Sequence, residues 1–262
     1  MSLYEKSPEY YLELVKDWED PNPKPVIELH EGIHVVRDDL LDAGSKVRFI
    51  DCFVKSLPES IKEIVFGGCP ATGYAQISLP IVCKKYGKKV VLFMAKRNLD
   101  NLHPYQIRGQ NEGAEYRWVK MGMLSVTKAK ARDYVAENPA ERIALPLGLE
   151  HPTVLGSIIK VARKSIGFEP SEIWSVGSSG TINRGLQMAF PELKVRVVQV
   201  GHRMHKREIG RAIRLVSHYK FDEPIKPEDA PPFPSAPTYD AKAWYFIKEF
   251  AKPKALFWNV GA

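Results

Sequence analysis

The sequence predicts an α/β fold built on mostly parallel sheets with helices on both faces. Short β-branched runs alternate with stretches at helical spacing along almost the whole chain, the pattern of βαβ units. Two of the strands, EIVFGG and IWSVG, run into glycine turns that lead toward a helix. With 262 residues, the chain is long enough for one large domain or two small ones around a substantial core.

The elements follow in order. Residues 1–25 read as a short helix and the proline-rich connector DPNPKP. IHVVRDD is a strand ending in charge, and a helix opens after Gly44 and Ser45, with Val47, Ile50 and Val54 at helical spacing. EIVFGG is a strand, and TGYAQISLPIVCKKYG is a helix that Pro80 must kink or start late. KKVVLFMA is a strand, a helix closes at Gly113, and YRWVKM is the next strand. VTKAKARDYVAEN, TVLGSIIKVARKSI and SSGTINRGLQMAF are helices, interleaved with the strands RIALPLG, EIWSVG and KVRVVQVG. Residues 222–237, DEPIKPEDAPPFPSAP, are too rich in proline for a regular element and read as a crossover or active-site loop. KALFWNV is the last strand, and no internal repeat or low-complexity domain is evident.

Composition narrows the function classes. Hydrophobic residues make up 44% and charged residues 26%, ordinary for a globular protein. No apolar run reaches the roughly 18–20 residues needed to span a bilayer, and the acidic, aromatic N-terminus lacks the features of a secretory signal, so a cytoplasmic protein without a membrane partner is expected. Cys52, Cys69 and Cys83 form no CxxC pair and read as buried thiols. The net charge is +7, and much of the excess sits at residues 202–220, HRMHKREIGRAIRLVSHYK. That stretch reads as a solvated helix face, or as a surface for anions, nucleic acid included. His202 and His205 form an HxxH pair without a third ligand, so no metal site is expected.

Two segments carry chemistry. In strand–GSSGT–helix, Gly177, Ser178, Ser179, Gly180 and Thr181 combine close backbone approach, hydroxyl donors and a helix N-terminus, which together make a phosphate cup. The GK[ST] ending of a Walker loop and the GxGxxG spacing of a dinucleotide fingerprint are both absent. In VVRDDLLDAGSKVRFID, Lys46 stands at a helix start after glycine and serine, where the positive dipole end and burial would lower its pKa and suit it to a Schiff base. Taken alone, the first segment has a structural turn as its competing reading, and the second reads more readily as a surface lysine than as a Schiff-base residue.

Together they resemble the fold type II pyridoxal 5'-phosphate (PLP) enzymes, whose two-domain fold is like that of the tryptophan synthase β subunit. The closest likeness is to the branch of 1-aminocyclopropane-1-carboxylate deaminase and D-cysteine desulfhydrase. Arg37, Asp38, Asp39 and Leu40, then Gly44, Ser45, Lys46, Val47 and Arg48, match that branch's KRDDL…GGNKxRKLE motif, and Lys46 falls on its Schiff-base position. GSSGT matches the family's GSGGT phosphate loop with one change. Ala236, Pro237, Thr238, Tyr239 and Asp240 match its DPVYxG segment, and residues 256–262 loosely match its closing LFxHTGG. The likeness runs from about residue 26 to the C-terminus.

The resemblance implies that Asp240 faces the pyridine nitrogen and that Tyr239 contacts substrate and carries a proton. It also implies a large cofactor domain of residues 1–48 and 149–262 and a small domain of residues 49–148. The family's cofactor-contacting asparagine is missing. Counting back from Gly87 puts Tyr74 on its position, and counting forward from Gly67 and Gly68 puts Thr72 there. The chain is also short after residue 200, which implies an altered substrate mouth. The activity implied is a PLP-dependent lyase or deaminase acting on a small amino acid, in a homodimer. A second reading is action on an amino acid attached to a larger carrier such as a hypermodified DNA base, with residues 202–220 meeting phosphates. A third is a PLP-binding protein without turnover.

Overall fold

The structure, a computed structural model, describes residues 3–262 and divides into two compact units. The first comprises residues up to Phe49 together with Glu150–Ala262, and the second is Ile50–Leu149.

The first unit is built on a six-stranded sheet. Its strands are β1 (Ile27–His30), β2 (Ile33–Arg37), β7 (Ile173–Gly177), β8 (Val195–Gln199), β9 (Ile213–Val216) and β10 (Leu256–Asn259), in the order β1-β2-β10-β7-β8-β9. Only β1 is antiparallel, paired to β2 through a turn in which Glu31 and Gly32 both adopt positive φ. The remaining five strands are parallel. Val35, Trp174, Val176, Val198 and Phe257 form one apolar face, and Trp244 and Ile247 of α9 (Trp244–Phe250) pack on it. The helices α6 (Pro152–Ser165) and α7 (Thr181–Ala189) pack closely, because Gly185 lets Ile158 approach where a Cβ would lie 2.4 Å from its side chain. α1 (Pro8–Leu14) packs on α6 in the same way, over Gly156.

The second unit holds a fully parallel sheet ordered β5-β4-β3-β6, from β3 (Glu63–Gly67), β4 (Lys89–Ala95), β5 (Ala114–Val119) and β6 (Arg142–Ala144). Val65, Val91 and Phe93 receive Ala131 and Tyr134 of α5 (Leu124–Glu137). α3 (Ala75–Lys85) and α4 (Pro104–Asn111) complete the unit, and α2 (Lys46–Lys55) carries the chain into it. Pro80 lies inside α3 rather than at its start.

The basic stretch departs from the helix-face expectation. Residues 202–220 contain only the four-residue α8 (Lys206–Ile209), followed by β9. Gly210, at φ 61°, ends the helix, and the β-branched IRLV run pairs with β8. Periodicity in a highly charged segment under-reported an edge strand, since edge strands tolerate exposed charge. Residues 222–237 hold no regular element beyond a single 3-10 turn at Pro227–Asp229, in line with their proline content. All three cysteines are buried, and none is in a disulfide. Among the described residues, no helix is long and apolar enough to cross a membrane.

Candidate active site

Parallel strands bring their C-terminal ends to one sheet edge, where the crevice at a switch in strand order is the habitual ligand site of open α/β sheets. Here the register places Asn259 beside Arg37 and Gly177 beside Gln199. The segments that follow β2, β7, β8 and β10 therefore share that edge. They contain Lys46, the GSSGT turn, residues 202–208 and the C-terminal residues 260–262.

A buried polar cluster fixes the Lys46 segment. Asp38, fully buried, accepts from Ser45 Oγ at 2.7 Å, Arg48 Nε at 3.0 Å and Trp258 Nε1 at 3.1 Å. Burial raises its pKa, while Arg48, Ser45 and Trp258 pull it down. Arg48 also pairs with Asp20. Ser45 N donates to Val260 O at 2.8 Å, and Gly44, at φ +70°, comes so near the same carbonyl that a Cβ would lie 2.2 Å from it. Lys46, half-buried, is the first residue of α2. The adjoining Asp39 is held by both nitrogens of the Arg37 fork at 2.7 and 2.8 Å and by Asn259 Nδ2 at 2.7 Å.

Tyr239 and Asp240 reach the same edge. Ala236 N donates to Gly261 O at 2.7 Å, which ties their loop to the chain end after β10. The Tyr239 hydroxyl hydrogen-bonds the main chain of Ser178, so it stands at the GSSGT turn. Burial and the neighbouring Asp240 raise its pKa well above the usual phenol range. Asp240 is completely buried, and neither carboxyl oxygen has a hydrogen-bond partner of ordinary geometry. Burial pushes its pKa well up; Lys46 and the main-chain amides of Val260 and Gly261 pull it down, and Asp39 pushes it further up. A buried carboxyl of this kind has the desolvation cost without the compensating bond.

In the GSSGT turn, Gly180 adopts φ +80° and abuts Glu208 O, where a Cβ would lie 2.5 Å away. Any side chain there meets both a strained backbone and main-chain atoms. Thr181 then opens α7, and its hydroxyl hydrogen-bonds the Tyr4 side chain. Tyr4 also donates to Glu150 Oε1 at 3.3 Å, and Arg184 stacks over its ring at 4.9 Å.

Lys46, Gly177, Ser178, Ser179, Gly180, Thr181, Tyr239 and Asp240 thus belong to the first unit, and Thr72 and Tyr74 to the second. There the loop 69–73 is clamped by Gln76, whose Nε2 donates to Ala71 O at 2.6 Å and Gly73 O at 2.9 Å. Thr72 is half-buried in that loop. The Tyr74 hydroxyl accepts from the Tyr105 hydroxyl at 3.2 Å, with ring centroids 5.1 Å apart. Sequence reasoning missed Tyr4, Gln76 and Trp258. Tyr4 and Trp258 act through contacts across long stretches of chain, which only the density of aromatic residues hinted at, whereas Gln76 acts on carbonyls three and five residues before it.

No protein-family model matches the chain. A glycyl-dTMP PLP-dependent decarboxylase of Pseudomonas phage M6 is 23% identical over 270 residues, spanning 87% of this chain and 94% of that protein. Among solved structures, an ACC deaminase homologue superposes with a TM-score of 0.79 at 14% identity, covering 96% of this chain and 94% of the other. Threonine deaminase isoform 2 of Solanum lycopersicum gives 0.71 at 12% identity, over 97% of this chain and 84% of that one. Escherichia coli diaminopropionate ammonia lyase gives 0.66 at 10% identity, over 100% and 89%. The fold of this chain is that of the fold type II PLP-dependent enzymes.

Proposed function

We propose that the protein is a PLP-dependent enzyme that decarboxylates an amino acid attached to a nucleotide. The observation that carries the cofactor assignment is the grouping of Lys46, the unpartnered buried Asp240 and the GSSGT turn at one sheet edge. The similarity to the phage glycyl-dTMP decarboxylase supports the substrate class.

The residues fit the cofactor. A protonated ring nitrogen would give Asp240 the donor its two oxygens lack. The Gly177–Thr181 turn and the start of the nine-residue α7 supply N–H groups and hydroxyls for a phosphate. Lys46 Nζ would hold the aldehyde carbon covalently. Bound PLP supplies an electron sink conjugated to the substrate α-carbon.

The chain's own groups do the remaining work. Asp240 would keep the ring nitrogen protonated. With the substrate bound in its place on the cofactor, Lys46 Nζ would be the acid positioned to deliver the proton that the α-carbon takes up after carbon dioxide leaves. Tyr239 stays protonated at neutral pH, given its raised pKa. It can therefore donate, rather than accept, as carbon dioxide leaves and the α-carbon regains a proton. Exposed Arg203, Lys206, Arg207, Arg214 and Lys220 offer positive charge for a substrate phosphate. Arg211 is excluded from that role because its guanidinium holds the carbonyls of Gln187, Phe190 and Leu193 at and just past the end of α7.

The test is the absorbance spectrum with added PLP, wild type beside Lys46→Ala. It is followed by assay of carbon dioxide and ammonia from free amino acids and from glycyl-thymidine nucleotides. A borohydride-sensitive visible band in the wild type alone, then carbon dioxide from the nucleotide substrate, is expected. The same band with ammonia from free amino acids would replace decarboxylation with deamination, and no band in either protein would sink the cofactor assignment.

A further inference from the structure

The segment that follows β8 brings three metal-ligating side chains together outside the groups used above. The ring nitrogens of His202 and His205 and a carboxyl oxygen of Glu208 all lie within 4.8 Å of one another. We propose that these three residues form a binding site for a divalent transition-metal ion of the zinc class, with one coordination position left open.

Two imidazoles and one carboxylate are a donor set suited to zinc, which takes such ligands at about 2.0–2.2 Å in tetrahedral array. Tetrahedral ligand atoms at those bond lengths stand about 3.3–3.6 Å apart, so the observed spread closes by small side-chain rotations. Both histidines are exposed, with ring centroids 5.5 Å apart at 61°, and the His205 ring is already held over the turn by accepting the Glu208 main-chain N–H. Glu208 is the fixed member. It is buried, and its Oε2 accepts the His205 main-chain N–H at 2.6 Å, so its carboxyl is already aimed at the turn that carries the histidines. All three ligands come from seven consecutive residues, so the site forms with the turn itself. Sequence spacing showed the HxxH pair; only the turn into α8 adds the third ligand.

Electrostatics then decide what the open position takes. Two neutral imidazoles, one carboxylate and a divalent cation carry a net charge of +1, and Arg203, Lys206 and Arg207 flank the site. The open position therefore takes water or an anionic oxygen. The segment is also attached to the GSSGT turn, because Asn183 Nδ2 donates to Glu208 O at 2.8 Å and Gly180 abuts that same carbonyl. A bound ion would hold residues 202–208 rigidly against the turn, whether or not a cofactor is present.

The experiment is titration of the chelator-treated full chain with Zn²⁺ by calorimetry and with Co²⁺ by visible absorption, in wild type, His202→Ala, His205→Ala and Glu208→Gln. One ion per chain, a Co²⁺ spectrum of low coordination number, and affinity at least about tenfold weaker in each variant are expected. Glu208→Gln keeps an acceptor for the His205 amide, and His202→Ala alters only an exposed side chain, so neither depends on a misfolded variant. No uptake at micromolar metal would overturn the site. Equal uptake by wild type and the histidine variants would overturn it as well, by assigning the ion elsewhere.

Discussion

Replacing Asp38 by alanine removes the acceptor shared by Ser45 Oγ, Arg48 Nε and Trp258 Nε1, all of them buried. Arg48, 1% exposed, would keep only its pairing with Asp20, whose side chain is 15% exposed. Breaking a buried ion pair from one side costs about 3–5 kcal/mol, because the remaining charge stays desolvated. Each neutral donor left without an acceptor adds about 1 kcal/mol when counted alone, though the three share one network and do not sum. Asp38→Ala should therefore destabilise the fold by about 4 kcal/mol, a large share of the roughly 5–15 kcal/mol of a natural domain. Ser45→Ala removes one hydroxyl and should cost about 1 kcal/mol. Urea unfolding followed by tryptophan fluorescence measures both, and the double variant gives the coupling. A loss of less than about 1 kcal/mol for Asp38→Ala would refute the reasoning. It would mean that the carboxyl is protonated and that Arg48 draws its support from Asp20 alone. In the same variant, the segment before Lys46 loses its anchor, so the visible band of the PLP-loaded protein should weaken.

Gly44→Ala must place a Cβ 2.2 Å from Val260 O at φ +70°, and should abolish the visible band at PLP concentrations that saturate the wild type. His151 caps α6 by accepting from Thr153 N, and burial lowers its pKa below the ordinary 6.5. The cap is therefore present above pH 6.5 and lost as pH falls through the lower folded value, so His151→Ala should cost about 1 kcal/mol at pH 8 and His151→Asn much less, by thermal unfolding. Burial pushes the Cys83 thiol from its ordinary 9.0 up to about 12. Its contribution is complete below pH 9 and is lost as pH rises between those values, by about 1.4 kcal/mol per pH unit. Cys83→Ala should flatten the alkaline fall of stability measured by urea titration over that range. Asp240→Asn leaves an acceptor but no charge to hold a ring proton, and should preserve PLP binding while lowering turnover by orders of magnitude in the carbon dioxide assay.

The local code was legible where one segment contains both the geometry and the chemistry. Alternating β-branched and helical stretches determined the two mostly parallel sheets, since side-chain period follows directly from backbone repeat. GSSGT announced a turn into a helix, and Gly180 does adopt the left-handed conformation that such a turn requires. Lys46 was legible as the start of a helix after glycine and serine. The sequence also ruled out a regular element at residues 222–237, because proline removes the donors that helices and inner strands need. What depended on distant residues was decided only by the tertiary structure. Register put the ends of β2, β7, β8 and β10 at one edge, and that placed Asp38 against Trp258, across 220 positions of chain. Whether Asp240 had a partner, and whether a carboxylate stands near His202 and His205, were likewise settled by packing and by one short turn. Charge pattern misread β9 for the same reason. Whether a charged strand pairs is decided by the neighbour it finds, and a sequence read one segment at a time does not contain that neighbour.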